Sequence, residues 1–179
     1  MRKIIESAFI TLDGVIGDPR AWAMEYFDAA AQQGSLEQLN ASDGMLMGRR
    51  TYEYFADTMP QQTGAYPDRL NAMPKYVFSS TIEQPTWQNA TVVRGDVVTE
   101  ARKLKEQDGR DLVIYGHGLL GHTLLEAGLL DELHLAVHPI RLGHGQLFFR
   151  EGAQTQLELT AATQLRSGVA VLSYRPLAG

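Results

Sequence analysis

The sequence contains no cysteine. Disulfide bonds and cysteine-ligated zinc are therefore excluded, and a reducing compartment, the cytoplasm, is the expected location. No apolar run approaches the roughly 18 residues that cross a bilayer. Basic runs are also missing, and the formal net charge is −5, so the sequence offers no face that would neutralise nucleic-acid phosphates. These absences predict a soluble protein that has neither a membrane nor a nucleic acid as partner.

The 179 residues, 44% of them apolar, suit a single domain with a sizeable core. Hydrophobic pattern and turn residues predict eight strands, at 4–10, 44–47, 76–78, 91–94, 112–115, 133–140, 157–165 and 169–174. The predicted helices are 21–33, ended by a glycine, then 51–58, 97–106 and 119–127, with a long loop at 60–74. Strands and helices alternate first and strands dominate the end. The order predicts an α/β fold with a mixed, mostly parallel sheet, helices on both faces and an antiparallel C-terminal hairpin.

A glycine turn, GHGLLG at 116–121, follows a predicted strand and opens a predicted helix. Glycines let a backbone approach a pyrophosphate, and a helix start offers free N–H groups and the positive end of a dipole. A turn between strand and helix needs glycines in any case, so both interpretations stay open. The turn comes late in the chain and lacks an acid at the end of the next strand, which disfavours a Rossmann fold.

A second predicted helix start is basic, with Arg49 and Arg50 after Gly48 and before Thr51. Arginines are unfavourable at a helix N-terminus unless an anion compensates them. The alternative is a surface turn with two solvated side chains. Ser79 and Ser80, at the end of the next strand, would supply further phosphate donors. Two such sites together suit a dinucleotide that carries an extra 2′-phosphate, which favours NADP over NAD.

Six segments in order resemble the dihydrofolate-reductase-like superfamily. They are similar to the reductase domain of the bacterial bifunctional riboflavin-biosynthesis enzyme and its stand-alone relatives. The segments are TLDGVI at 11–16, GRRTYE at 48–53, FSS at 78–80, GHGLL at 116–120, GLLDEL at 128–133 and PIRLGHG at 139–145. The resemblance covers essentially the whole chain. It implies a sheet of about eight strands, an NADPH-dependent oxidoreductase and a homodimer formed through the C-terminal strands.

The resemblance also implies a set of cofactor-binding residues at the matching positions. These are Ile16, Gly17, Gly48, Arg49, Arg50, Thr51, Ser79, Ser80, Gly116, Gly118, Leu119 and Leu120. Ile16 and Gly17 would lie in the loop over the nicotinamide. The segment from Gly48 to Thr51 and the two serines would contact the phosphates and the adenosine ribose. The glycine turn and the two leucines that follow it would contact the pyrophosphate. Relatives have a small residue where this chain has His117, and we expect this side chain to point to solvent.

The substrate side is less defined by the sequence. Asp13, Trp22 and Tyr26 are the expected substrate residues, and Glu25 and Asp28 are the candidate proton donors on the predicted first helix. Neither acid aligns cleanly with the buried carboxylate that folate reductases use. No histidine spacing predicts a metal site, and a deaminase is excluded by the missing cysteines. We predict hydride transfer from NADPH to a pteridine-like, pyrimidine-like or related substrate. The alternative is a nucleotide-binding sensor that retains the fold without catalysis.

Overall fold

A computed structural model describes residues 1–150, 152 and 154–177 of the chain. The strands are β1 Ile4–Thr11, β2 Ser42–Gly48, β3 Lys75–Phe78, β4 Ala90–Val93, β5 Asp111–Tyr115, β6 Glu132–His138, β7 Leu157–Gln164 and β8 Ala170–Pro176. The α-helices are α1 Ala29–Ala41, α2 Arg49–Thr58, α3 Ala65–Ala72, α4 Val97–Glu106 and α5 Leu119–Glu126. Short 3-10 helices lie at Pro19–Ala21, Met24–Tyr26 and Met59–Gln61.

All eight strands form one sheet in the order β4-β3-β2-β5-β1-β6-β8-β7. The first six strands of this order are parallel to one another, whereas β8 is antiparallel to β6 and to β7. Gly168, with a φ of +89°, lies in the turn that joins β7 to β8. The predicted mixed sheet with an antiparallel C-terminal hairpin is therefore confirmed.

Helices cover both faces of the parallel part, which explains why its strands have apolar residues on both sides. On β2, Leu46 packs with the side chains of α4 and α5, and its neighbours Met45 and Met47 pack on the opposite face. That second face is closed by α1, α2 and α3 through residues such as Leu39 and Leu70. The carboxyl edge of the parallel strands lies between these two layers.

Two predicted elements were wrong. The helix expected at 21–33 is replaced by two 3-10 turns, and α1 begins later, after Asp28, whose carboxylate accepts a hydrogen bond from the N–H of Ala31 at 2.9 Å. Gly34 does not end this helix, because an exposed helical glycine costs only about 1 kcal/mol relative to alanine. The loop expected at 60–74 contains α3, since Pro67 is tolerated in a first turn and Leu70 is buried in the core.

None of the helices in the described residues is long and apolar enough to cross a membrane.

Candidate functional site

Four segments that the sequence analysis singled out, together with His138, lie at the carboxyl ends of neighbouring parallel strands. The loop 11–17 follows β1, the arginine pair follows β2, the serine pair follows β3, the glycine turn follows β5, and His138 ends β6. Because these strands are parallel and adjacent, about 4.8 Å apart, their ends meet at one edge of the sheet. Open α/β sheets bind ligands at this edge.

The helix α2 begins at the basic segment. Gly48 is its N-cap residue and no side chain caps its first N–H groups. Arg49 forms an exposed ion pair of 3.2 Å with Glu53, and Arg50 is exposed to solvent. The half-buried Thr51 completes the first turn. The segment thus presents free N–H groups and a guanidinium at the carboxyl edge, which is a favourable setting for an anion.

The serine pair has a different internal arrangement. The hydroxyl oxygen of Ser79 accepts hydrogen bonds from the N–H groups of Thr81 and Ile82, at 3.2 and 3.1 Å, so it shapes its own turn. Ser80 is exposed. Arg94, at the end of β4, donates to the carbonyl oxygens of Ser79 and Ser80 at 3.4 and 3.1 Å. Sequence reasoning missed Arg94, although a basic residue directly after an edge strand was a usable signal.

The glycine turn leads from β5 into α5. Gly116 has a φ of +75°, and its N–H donates to the carbonyl of Ser7 at 2.8 Å. Gly118 is the N-cap residue of α5 and, again, no side chain caps this helix. The side chain of Leu119 is exposed and that of Leu120 is buried in the core. This arrangement suits contact through N–H groups.

His117, in this turn, is buried, so the expectation that it points to solvent was wrong. Its Nδ1 lies 2.5 Å from Oε1 of Glu6, and the two share a hydrogen bond. Its ring stacks on that of Phe148, with 3.9 Å between the ring centroids. Burial raises the pKa of Glu6, although the hydrogen bond with His117 acts in the opposite direction. The inward orientation is possible because Gly121 leaves room for the Glu6 carboxyl group.

The loop 11–17 is tied to the segment after β6. The carboxylate of Asp13 accepts hydrogen bonds from the hydroxyl of Thr11 at 2.6 Å and from the N–H groups of Gly143 and Leu142 at 2.7 and 3.2 Å. These hydrogen bonds, that of Thr11 first, lower the pKa of Asp13 to about 2. The N–H of Ile16 donates to the carbonyl of Gln146 at 2.8 Å. Asp13, expected to contact substrate, therefore uses both of its oxygens to fix this loop.

A group of aromatic side chains surrounds His138 beside this loop. Trp22 and Tyr26 lie 5.2 and 5.6 Å from the His138 ring, and Phe9 lies 5.1 Å from it, all three edge to face. The indole N–H of Trp22 donates to the carbonyl of Gly17 at 2.9 Å. Burial lowers the pKa of His138. The structure thus brings together two predicted substrate residues, and it adds a histidine that the sequence analysis had assigned to the sheet.

The two candidate acids lie outside any buried site. Glu25 is exposed, and Asp28 is half-buried at the start of α1, where its Oδ1 caps the helix. In the part of the chain that the structure describes, no cluster of three or more histidine or acidic side chains could hold a metal ion.

The sheet order, the antiparallel C-terminal strands and the cluster of helix starts at the carboxyl edge define a dihydrofolate-reductase-like fold of the riboflavin-reductase type. The chain belongs to the RibD C-terminal domain family, whose profile matches residues 2–171. It is 28% identical, over 97% of its length and 94% of the relative's, to the uncharacterized protein YyaP of Bacillus subtilis.

Solved structures give the same fold. A putative riboflavin biosynthesis protein from Shewanella sp. PV-4 superposes with a TM-score of 0.76 at 20% identity, covering 98% of this chain and 99% of the other. The deaminase/5-amino-6-(5-phosphoribosylamino)uracil reductase of Thermotoga maritima gives 0.71 at 16% identity, covering 98% of this chain and 57% of that one.

Proposed function

We propose that the protein is an NADPH-dependent reductase that transfers a hydride to a small heteroaromatic substrate. One observation carries the proposal: two helices without side-chain caps, α2 and α5, begin at the same sheet edge. They follow adjacent parallel strands, β2 and β5, and they pack on opposite faces of the sheet. An extended molecule with two phosphate-bearing parts can cross the edge and reach both helix starts. Membership in a reductase-type family supports the same activity.

The residues present fit this cofactor. The space beside the α-carbons of Gly48, Gly116 and Gly118 is unoccupied by protein, because an added Cβ would meet nothing within 4 Å. A phosphate group can therefore approach the backbone at these three residues. The turn at 116–118 and the N–H groups of α5, including those of Leu119 and Leu120, would hold the pyrophosphate. Arg49, Arg50, Thr51, Ser79 and Ser80 would bind the adenosine end and its 2′-phosphate, and Ile16 and Gly17 would lie against the nicotinamide. Bound NADPH would supply the hydride.

The substrate would lie against the aromatic group. The half-buried Tyr26 would present its ring to the substrate, backed by the buried Trp22, and the buried His138 favours its neutral form there because burial lowers its pKa. This composition suits a flat, weakly charged ring of the pteridine or pyrimidine kind. Asp28, which uses only Oδ1 in the helix cap, and Glu25 are the candidate proton donors. Asp13 would act on the substrate indirectly, by holding the loop.

Titration of the protein with NADPH and with NADH, followed by tryptophan fluorescence, tests the cofactor assignment. We expect NADPH to bind at least tenfold more tightly. Arg50→Ala should weaken NADPH binding by about 10- to 100-fold and leave NADH binding unchanged, because a hydrogen bond to a charged group contributes about 1.5–3 kcal/mol. Arg102→Ala, at an exposed arginine of α4, is the matched control. Absence of binding for both nucleotides would refute the proposal, and equal affinities would refute the 2′-phosphate assignment.

The alternative is a protein that binds NADPH without turning it over. The position of the two acids favours it, since neither is buried beside the aromatic group. Absorbance at 340 nm, followed with pterins, pyrimidines and quinones as acceptors, separates the two. Oxidation of NADPH with any one of them supports the reductase, and bound NADPH that stays reduced throughout supports the alternative.

The assembly and the location are part of the same proposal. β7 is an edge strand whose residues are mostly exposed, including Leu159, and we propose that it forms a homodimer interface. Light scattering should then give twice the chain mass, and Leu159→Glu should give the monomer mass. A cytoplasmic location stays a prediction from the absence of cysteine.

A further inference from the structure

A buried polar pair lies directly behind the glycine turn and has no part in the proposed chemistry. The side chain of His117 is 2% exposed and that of Glu6 is 0% exposed. The second carboxyl oxygen of Glu6 has no hydrogen-bond partner within the described residues. Because both side chains are shielded from solvent, loss of their hydrogen bond would leave each of them unpaired, so each one stabilises the position of the other. Burial of two polar side chains is energetically unfavourable, so we looked to their neighbours for the function of this pair beside the glycine turn.

The surroundings show what the pair restrains. An added Cβ on Gly121 would lie 2.5 Å from Oε2 of Glu6, so the first turn of α5 rests against the carboxyl group. On its other side the His117 ring stacks on Phe148, whose N–H donates to the carbonyl of Gly14 at 2.9 Å. The pair thereby connects three parts of the fold: Glu6 of the central strand β1 lies against α5, and His117 lies against Phe148, the neighbour of the loop 11–17.

We propose that Glu6 and His117 are positioning residues. They hold the backbone at 116–118 in the conformation that receives the cofactor pyrophosphate, and Phe148 extends this restraint to the loop 11–17. The inference rests on the proposed function. Its physical reason is that two glycines leave a turn with a large conformational freedom, which binding would otherwise have to remove. The histidine between them anchors the turn before the ligand arrives.

Five variants, one of them a control, separate positioning from a general effect on folding. Glu6→Leu and His117→Phe each remove the hydrogen bond but leave a polar group unpaired. The double variant Glu6→Leu/His117→Phe removes the hydrogen bond and leaves neither partner unpaired. It should therefore fold even if a single variant does not. Glu6→Gln can still hydrogen-bond to His117 and is the conservative rescue. His122→Phe is the matched control, because its ring lies 6.4 Å from that of His117 but outside the turn.

Each variant is titrated with NADPH and with adenosine 2′-monophosphate, which lacks the pyrophosphate. We expect the double variant to bind NADPH at least tenfold more weakly and the 2′-monophosphate within twofold of wild type. Glu6→Gln and His122→Phe should bind both ligands like wild type. Equal loss for the two ligands, or no loss for either, would overturn the positioning role.

Amide hydrogen exchange by NMR tests the restraint without a cofactor. In the double variant we expect faster exchange at 116–120 and at 14–16, with the strands β2 and β3 unchanged. Unchanged exchange in the turn would overturn the inference even if NADPH binds. If wild-type protein fails to bind NADPH, the proposed function fails together with the pyrophosphate assignment. In that case the amide exchange rates at 116–120 still show whether Glu6 and His117 restrain the turn.

Discussion

Lys75, the first residue of β3, is fully buried in the layer between the sheet and the helices α2 and α3. Its Nζ donates to the carbonyl oxygens of Asn71 and Gln88 at 2.7 and 3.0 Å, and it lies 4.3 Å from the centre of the Trp87 ring. These partners are neutral, so desolvation of the ammonium group dominates. Burial lowers the pKa of Lys75 from 10.5 to about 8.

This pKa difference makes the free energy of unfolding depend on pH in a defined window. Below pH 8 the lysine is protonated in both the folded and the unfolded chain, so it adds no pH dependence. Between pH 8 and 10.5 the unfolded chain binds more protons, so the folded state gains stability as the pH rises. The gain approaches about 1.4 kcal/mol per pH unit and amounts to about 2 kcal/mol by pH 10.

Urea unfolding of wild type and Lys75→Met at pH 7.5, 8.5, 9.2 and 10 measures this gain. We expect the difference in unfolding free energy between the two proteins to move by about 2 kcal/mol in favour of wild type. Higher pH is avoided because burial also raises the pKa of Tyr66, to about 12, which reverses the trend above pH 10. Lys103→Met, at an exposed lysine, should show no such movement. A difference that stays constant with pH would refute the reasoning.

Three further predictions test the site and its supports. In urea unfolding, Gly34→Ala should raise the unfolding free energy by about 0.5–1 kcal/mol, because the added Cβ meets nothing. Gly121→Ala should lower it by about 1–3 kcal/mol, because its Cβ would meet Glu6. A change of the same sign in both variants would contradict the packing described. Because its pKa is lowered to about 2, the ionised Asp13 stabilises the folded state above about pH 4, and this stabilisation is lost as the pH falls to about 2. In thermal melts over this range, the melting temperature of Asp13→Asn should therefore decrease less than that of wild type. The His138 ring should titrate in NMR spectra below its ordinary pKa, and a value above 6.5 would argue against its burial.

The fold was largely predictable because its signals are local. Short β-rich runs and a hairpin turn each act within a few residues, and the late shift from alternation to strands indicated the mixed sheet. The two wrong elements had weak local signals. The polar stretch around Tyr66 forms α3 because Leu70 reaches the core, and α1 starts late because Asp28 caps it. The helix α3 depends on contacts with the distant core, whereas the Asp28 cap, three residues from Ala31, is a local signal that the predicted helix at 21–33 passed over.

The candidate site was predictable where it uses backbone groups and less so where it uses side chains. Glycines and helix starts appear in the sequence as motifs, so the sequence indicated that helices begin near 48–51 and 116–120, whereas the role of these segments in binding stays a prediction. Arg94, by contrast, becomes part of the site because the parallel pairing of β3 and β4 places it beside the serine turn. His117 gave a misleading signal, since its partner Glu6 is 111 residues away in the chain.

The proposed substrate side illustrates why a cluster of side chains resists prediction. Its aromatic group joins Phe9 of β1, Trp22 and Tyr26 of the connecting segment, and His138 of β6, which meet only because Thr11 and His138 are register partners. A shift of one residue in that register would turn His138 to the other face of the sheet. The proposed substrate site therefore depends on the pairing of β1 with β6, whereas the proposed cofactor site depends on local turns. In the proposed reductase, substitutions among the aromatic residues would change the substrate while the segments at 48–51 and 116–120 stay as they are.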